Sequence, residues 1–109
     1  MSLYALNLFD LADNDDYLAY SRRSVAAVGK HGGKVIALGR LDADATPDPG
    51  DTPPRQVMVL VEWPDRAAFD AFQRDPEHHD LHPLRRNGTR SYLWWAYERL
   101  ADLRPLLKR

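Results

Sequence analysis

Three runs of this chain are apolar on nearly every position: Tyr4-Ala5-Leu6-Asn7-Leu8-Phe9, Val57-Met58-Val59-Leu60-Val61 and Ser91-Tyr92-Leu93-Trp94-Trp95-Ala96-Tyr97. Short runs without a polar face, bounded by turn residues, predict strands that are covered on both sides. Lys34 to Leu41 is the remaining strand, and the third one runs from Gln56 to Trp63 and stops at Pro64. Between them the apolar spacing becomes helical. Tyr17, Leu18, Ser21, Val25 and Val28 lie along one stripe, with Asp13 or Asn14 as the cap and Gly32-Gly33 as the stop. The acidic start and the basic end, Arg22, Arg23, Lys30 and His31, suit the helix dipole. Asp65 caps a second helix with Ala68, Phe69 and Phe72 inward, and Asp75-Pro76-Glu77 opens another that is expected to break at Pro83. Residues 43–55 hold Pro47, Pro49, Pro53, Pro54 and Gly50, so they form a long exposed connection. Leu100, Leu103 and Leu107 suggest a short amphipathic tail.

The resulting order, β-α-β-β-α-β, predicts an α+β, ferredoxin-like fold: a four-stranded antiparallel sheet with helices on one face. The expectation is a single domain over residues 1–109, with a core at about 4–97 and a tail at 98–109. Helices cover only one side of such a sheet, yet three strands carry large apolar side chains on both. A wet second face of several hundred Å² exceeds what monomers usually expose. A homodimer with two sheets face to face is the expected cover.

Composition narrows the function without naming it. With 44% hydrophobic and 28% charged residues and a formal charge of −1, the chain reads as globular, and no nucleic-acid partner is expected. The RNA-recognition domain shares this element order, but the third strand lacks its Lys/Arg-Gly-Phe signature. There is no cysteine, which excludes disulfides, thiolate metal sites and a thiol nucleophile. No segment has the ~20 apolar residues of a membrane span, so a soluble, cytoplasmic protein without a membrane partner is expected.

Asn7 and Glu62 are polar positions inside otherwise apolar strands. If both project from central strands they approach one another, and a carboxylate in such a setting has a raised pKa suited to proton transfer. His31 serves as a helix-end cation or, if it lines a pocket, as a general base. Arg85, with Arg86 and Arg90, can fork a carboxylate, or pin its helix through a salt bridge. His78 and His82, one turn apart on a helix, supply two of the three or four ligands a metal needs, and surface imidazoles explain them as well, so no metal and no cofactor are expected. Tyr17, Tyr20, Trp63, Trp94, Trp95 and Tyr97 can wall an aromatic pocket, although strand aromatics more often serve core or interface. The expectation is a dimer that holds a small planar or anionic organic molecule between sheet and helices. Arg85, Asn7, Tyr17, Tyr20 and Trp63 would contact the ligand. The alternatives are a cofactor-free enzyme using Glu62 or His31 as base, and a non-catalytic dimerisation module.

Several of these residues also carry a resemblance: Tyr17 and Tyr20, His31-Gly32-Gly33, Gly39, Pro54-Arg55, Glu62-Trp63-Pro64, Phe72, Asp75-Pro76-Glu77 and Pro83-Leu84-Arg85. Together they resemble the domain of unknown function 1330 family, within the dimeric alpha-beta barrel superfamily, over about Tyr4 to Tyr97. The resemblance implies a ferredoxin-like dimer, in a superfamily that also houses cofactor-free monooxygenases, lactone isomerases and haem-degrading enzymes. It implies no particular reaction. His78 stands where relatives commonly have Tyr, and the proline-rich loop and the tail look like extensions.

Overall fold

A computed structural model describes residues 2–107. The strands are β1 (Leu3–Leu11), β2 (Lys34–Arg40), β3 (Val57–Trp63) and β4 (Thr89–Glu98), joined by α1 (Asp16–Lys30), α2 (Arg66–Arg74) and α3 (Leu81–Asn87), with a short α4 (Arg104–Leu107) after the sheet. All pairings are antiparallel and the order across the sheet is β2-β3-β1-β4. This is the ferredoxin-like arrangement expected from the order of elements.

Register decides which side chains meet. Asn7 pairs with Val59 and with Trp94, and Ala5 with Val61, so alternation sends Ala5, Asn7, Phe9, Val59, Val61, Trp63 and Trp94 to one face. The helices cover that face: Phe69 and Phe72 of α2 pack on Trp63 at ring-centroid distances of 5.7 and 4.9 Å. Ala27 and Val28 of α1 and Leu81 of α3 complete the buried cluster. The other face carries Tyr4, Leu6, Leu8, Met58, Leu60, Leu93, Trp95 and Tyr97, on the side away from the core that α1, α2 and α3 cover. On it Trp95 is 45% and Tyr97 49% exposed.

Where β1 and β4 meet, Leu8 pairs with Leu93 and Asp10 with Arg90, so Phe9 alone opposes Ser91 and Tyr92. Ser91 absorbs this bulge with φ of 54°, a left-handed conformation that side chains seldom adopt. The Arg55 Nε–H donates to its carbonyl at 2.7 Å.

Several local expectations need correction. The inward stripe of α1 is Tyr17, Tyr20, Ser24, Ala27 and Val28, rotated from the one read by hydrophobicity, because Leu18 and Val25 stay exposed beside β2. The α1 cap is Asp15, without a side-chain bond, and Asn14 Oδ1 instead accepts the Asp16 N–H at 2.9 Å. Asp75-Pro76-Glu77 starts only a 3₁₀ turn, Pro76–His78. Pro83 does not break α3: it lies in the first turn, where backbone N–H groups have no intrahelical acceptor to lose. Asp65 does cap α2, accepting the Ala68 N–H at 2.8 Å, and Gly32, with φ of +80°, does end α1.

Candidate functional site

The site grows from the helix-side face of β1 and β4. Phe9 is buried between two phenols, with ring centroids 4.8 Å from Tyr17 and 5.3 Å from Tyr92. Each such stack contributes about 0.5–1.5 kcal/mol. Tyr20 meets Tyr17 edge-on at 5.3 Å. The Tyr92 hydroxyl donates to Asn7 Oδ1. Asn7 Nδ2 donates to the carbonyls of Val59 at 3.2 Å and Ala5 at 3.3 Å, so the buried amide is fixed in one orientation.

Asn7, Tyr17, Tyr20 and Tyr92 line a cavity of about 60 Å³, with Trp63, Phe72 and Trp94 as further walls. It has room for about two waters. It adjoins a wider cleft between the outer flank of α1 and β2, in two stretches of about 480 and 490 Å³. Tyr17 and Val59 line cavity and cleft alike, and Leu18, Ser21, Val25, Val35 and Leu38 wall the cleft. Leu38 is 72% and Val25 70% exposed there.

Arg85, on α3, stands behind the cavity. Its Cζ lies 4.6 Å from the Trp94 ring centroid and 5.7 Å from that of Tyr92, and Nη1 lies 3.1 Å from His82 Nδ1. Among the described residues no carboxylate pairs with it. Burial is the largest influence on the neighbouring phenols: Tyr17 is pushed up to about 12, while Tyr20 and Tyr92 also rise. The Arg85 charge opposes each rise without cancelling it. All three hydroxyls therefore keep their protons at neutral pH. The buried indole N–H groups of Trp63 and Trp94 have no acceptor among the described residues. An unmet buried donor costs about 1–3 kcal/mol, so these two, closed off by packing, stand out from the well-paired remainder of the core.

Asn7, Tyr17, Tyr20 and Trp63 thus meet at one cavity, with Arg85 just behind. Tyr92 was missed by sequence reasoning, although its alternation with Trp94 on β4 was a usable signal. The other candidates lie elsewhere. Glu62 pairs with Tyr4 and Lys34 on the face away from the helices, so the expected approach to Asn7 does not occur. His31 is absent from the cavity lining and points Nε2 at Asp75 Oδ2, 2.7 Å away. His78 and His82 do not share a helix: His78 closes the 3₁₀ turn, and His82 belongs to α3. Asp75, Glu77 and His78 do cluster within 4.8 Å. Lys30 Nζ already occupies the space between the two carboxylates, at 2.8 Å from Asp75 and 2.7 Å from Glu77.

The family model for the domain of unknown function (DUF1330) matches residues 2–96. The chain belongs to this family. No curated protein matches it. Among solved structures, a protein of unknown function from Rhodopseudomonas palustris is 25% identical, with a TM-score of 0.73, over 93% of this chain and 84% of its own. A dimeric ferredoxin-like protein of unknown function from Jannaschia sp. CCS1 is 15% identical, with a TM-score of 0.66, over 91% and 100%. SnoaB, a cofactor-independent oxygenase from Streptomyces nogalater, is 13% identical, with a TM-score of 0.65, over 94% and 96%. This DUF1330 chain therefore has the fold of the dimeric alpha-beta barrel proteins. Among its described residues, no helix is long and apolar enough to cross a membrane.

Proposed function

We propose that this protein is a homodimer that binds a small planar organic molecule between its sheet and its helices. The observation that carries this reading is the adjacency of the wide α1/β2 cleft and an aromatic-walled inner cavity with fixed polar groups, which share Tyr17 and Val59 as walls. Ligand sites of this kind are largely apolar, with a few placed polar groups that orient the occupant. The uncovered apolar sheet face supports the dimer, as does the dimeric description of the Jannaschia protein.

Binding is favoured over catalysis by the chemistry of the lining. The cavity walls include no carboxylate, lysine or imidazole, and the phenols are shifted away from neutrality. A cofactor-free oxygenase such as SnoaB shares the fold alone at this level of identity. A pure dimerisation module would have no use for an inner cavity with a fixed amide.

Native mass spectrometry of freshly purified protein tests the reading. The expected result is a dimer with the added mass of an organic molecule, lost in Leu38→Glu, whose side chain is exposed enough to spare the fold. A monomer at micromolar concentration would overturn the dimer, and an added mass retained unchanged in Leu38→Glu would overturn the site.

A further inference from the structure

Two apolar surfaces lie at opposite edges of the sheet, and their positions fit one another. At the β4 edge the chain leaves the body. The Arg99 N–H still donates to the Ser2 carbonyl at 3.1 Å, but among the described residues the hydrogen bonds and ion pairs of Ala101 to Leu107 stay within that stretch, and every one of its residues is exposed. Asp102 builds the turn, accepting the Arg104 N–H at 2.8 Å and pairing with the guanidinium at 2.6 Å. The helix that follows, α4, has four residues, too few to hold in water without a partner. It presents Leu103, Leu106 and Leu107, which are 60%, 70% and 70% exposed, at the i, i+3, i+4 spacing with which a short helix enters a groove. At the β2 edge such a groove is open: the α1/β2 cleft, with Val25, Val28, Val35 and Leu38 in its walls and, among the described residues, none from the tail of its own protomer.

Resting on the homodimer proposed above, we propose that each protomer seats Leu103, Leu106 and Leu107 in the α1/β2 cleft of its partner, at the end beside Lys34, and so walls one end of the partner's cleft. Two sheets that meet by the faces turned away from α1, α2 and α3 are related by a twofold axis between them, running either along the strands or across them. β2 and β4 are the two edges of the sheet. An axis along the strands therefore lays β4 over the partner's β2, whereas an axis across them lays β4 over the partner's β4. The first also keeps levels. Glu98 opposes Leu3, Leu3 opposes Trp63, and Lys34 opposes Glu62, so the tail leaves β4 at the level where the partner's β2 begins. Val25, Gly29, Gly33, Lys34 and Val35 line the cleft at that level. Leu103 follows Glu98 by five residues, at most about 17 Å of chain, against about 10 Å between packed sheets, so it reaches round the β2 edge. The axis across the strands would leave both the leucines and the cleft in water. The other stretch of the cleft, toward Leu11, Ala12 and Met58, stays open beside a docked tail and leaves a way in for the ligand.

The chain has no cysteine, so introduced thiols report without background. In the full chain, Leu106→Cys is combined with Val25→Cys and, in a second variant, with Val35→Cys, all at exposed positions. Mild oxidation bridges them only where their Cα atoms come within about 7 Å. A disulfide-linked dimer is expected from at least one pair, about tenfold faster than from any of the single variants. Leu106→Asp, which tests the contact without a covalent bond, is expected to shift the backbone amide resonances of Val25 and Val35 and to leave in place that of Thr89, at the opposite end of the sheet. Sedimentation velocity on the parent separates the two readings. If the parent is a dimer, three results overturn the tail assignment and leave the homodimer standing: bridging within one chain, equally fast bridging by Leu106→Cys alone, or neither bridging nor a shift at Val25 and Val35. If the parent is a monomer at micromolar concentration, the tail assignment falls together with the homodimer.

Discussion

His31 closes its imidazole onto Asp75, with Nε2 2.7 Å from Oδ2 and the Asp75 side chain only 6% exposed. Lys30 reaches the same oxygen at 2.8 Å, and the Glu77 N–H donates to Oδ1 at 2.9 Å. One carboxylate thereby ties the end of α1 to the segment between α2 and α3. These partners, led by Lys30 and then His31, hold the Asp75 carboxyl far below its ordinary value of 3.8. A depressed folded value means stability that is present above the unfolded value and lost as pH falls. Thermal melts from pH 7 to pH 2.5 should show Tm declining below about pH 4, with a shallower decline in Asp75→Asn, which should also melt lower at pH 7. Parallel curves for the two proteins would remove Asp75 as the cause.

Gly88 ends α3 with φ of −82°, which alanine adopts without strain. Its constraint is space: a Cβ there would run into the backbone N and Cα of Tyr17. Gly88→Ala should destabilise by about 1–3 kcal/mol, as overpacking does, and should push Tyr17 off Phe9. Urea denaturation reads the first effect and near-ultraviolet circular dichroism the second. An unchanged midpoint would mean that α1 and α3 do not approach as described.

Trp95 projects from the middle of β4 onto the uncovered sheet face, opposite Leu6. Trp95→Lys should weaken self-association by at least about 2 kcal/mol, the scale of a central aromatic anchor, and sedimentation velocity should then find monomer where the parent is dimer. Leu6→Asp should act in the same direction. Two dimeric variants would place the interface elsewhere.

His82 has its Nδ1 3.1 Å from Arg85 Nη1 and its Nε2 3.2 Å from the Gln73 carbonyl. Arginine only donates, so Nδ1 accepts and Nε2 carries the proton. Burial first, then the Arg85 charge, lowers the pKa of this imidazole below 6.5. The unfolded chain therefore takes up a proton at His82 before the folded one does, and stability falls as pH drops below about 6.5. NMR titration should find a midpoint for His82 below 6.5 with the Nε2–H tautomer, and His82→Gln should flatten that part of the stability profile. A midpoint above 6.5 would contradict the geometry.

The sheet was legible because strands with apolar residues on both faces admit few other readings, and the same double-sidedness announced the uncovered face. The site was legible in residue type but not in arrangement. Asn7 and Glu62 look equivalent in sequence, yet their faces depend on register: Asn7 opposes Val59, and Glu62, three positions further along β3, necessarily faces the other way. Hydrophobicity placed Leu18 and Val25 in the core, where Tyr20, Ser24 and Ala27 sit instead, because it does not distinguish a helix flank that packs on a sheet from one that walls an open cleft. The bulge that accompanies Tyr92 sits at a serine in a conformation usually marked by glycine, so nothing local signalled it. The pair His78 and His82 was lost to a 3₁₀ turn, whose shorter period moves the first histidine off the face of the second.

β1 sends Ala5, Asn7 and Phe9 to the helix side and Tyr4, Leu6 and Leu8 to the opposite side. Such a strand tolerates many single replacements but no change of length. Deleting or inserting one residue ahead of Asn7 would reverse the parity of every position before it, putting Tyr4 under the helices and Ala5 on the open face. Descendants of this sequence should accordingly vary in the proline-rich connection, where length is free, and keep the spacing within β1 fixed even where its residue types drift.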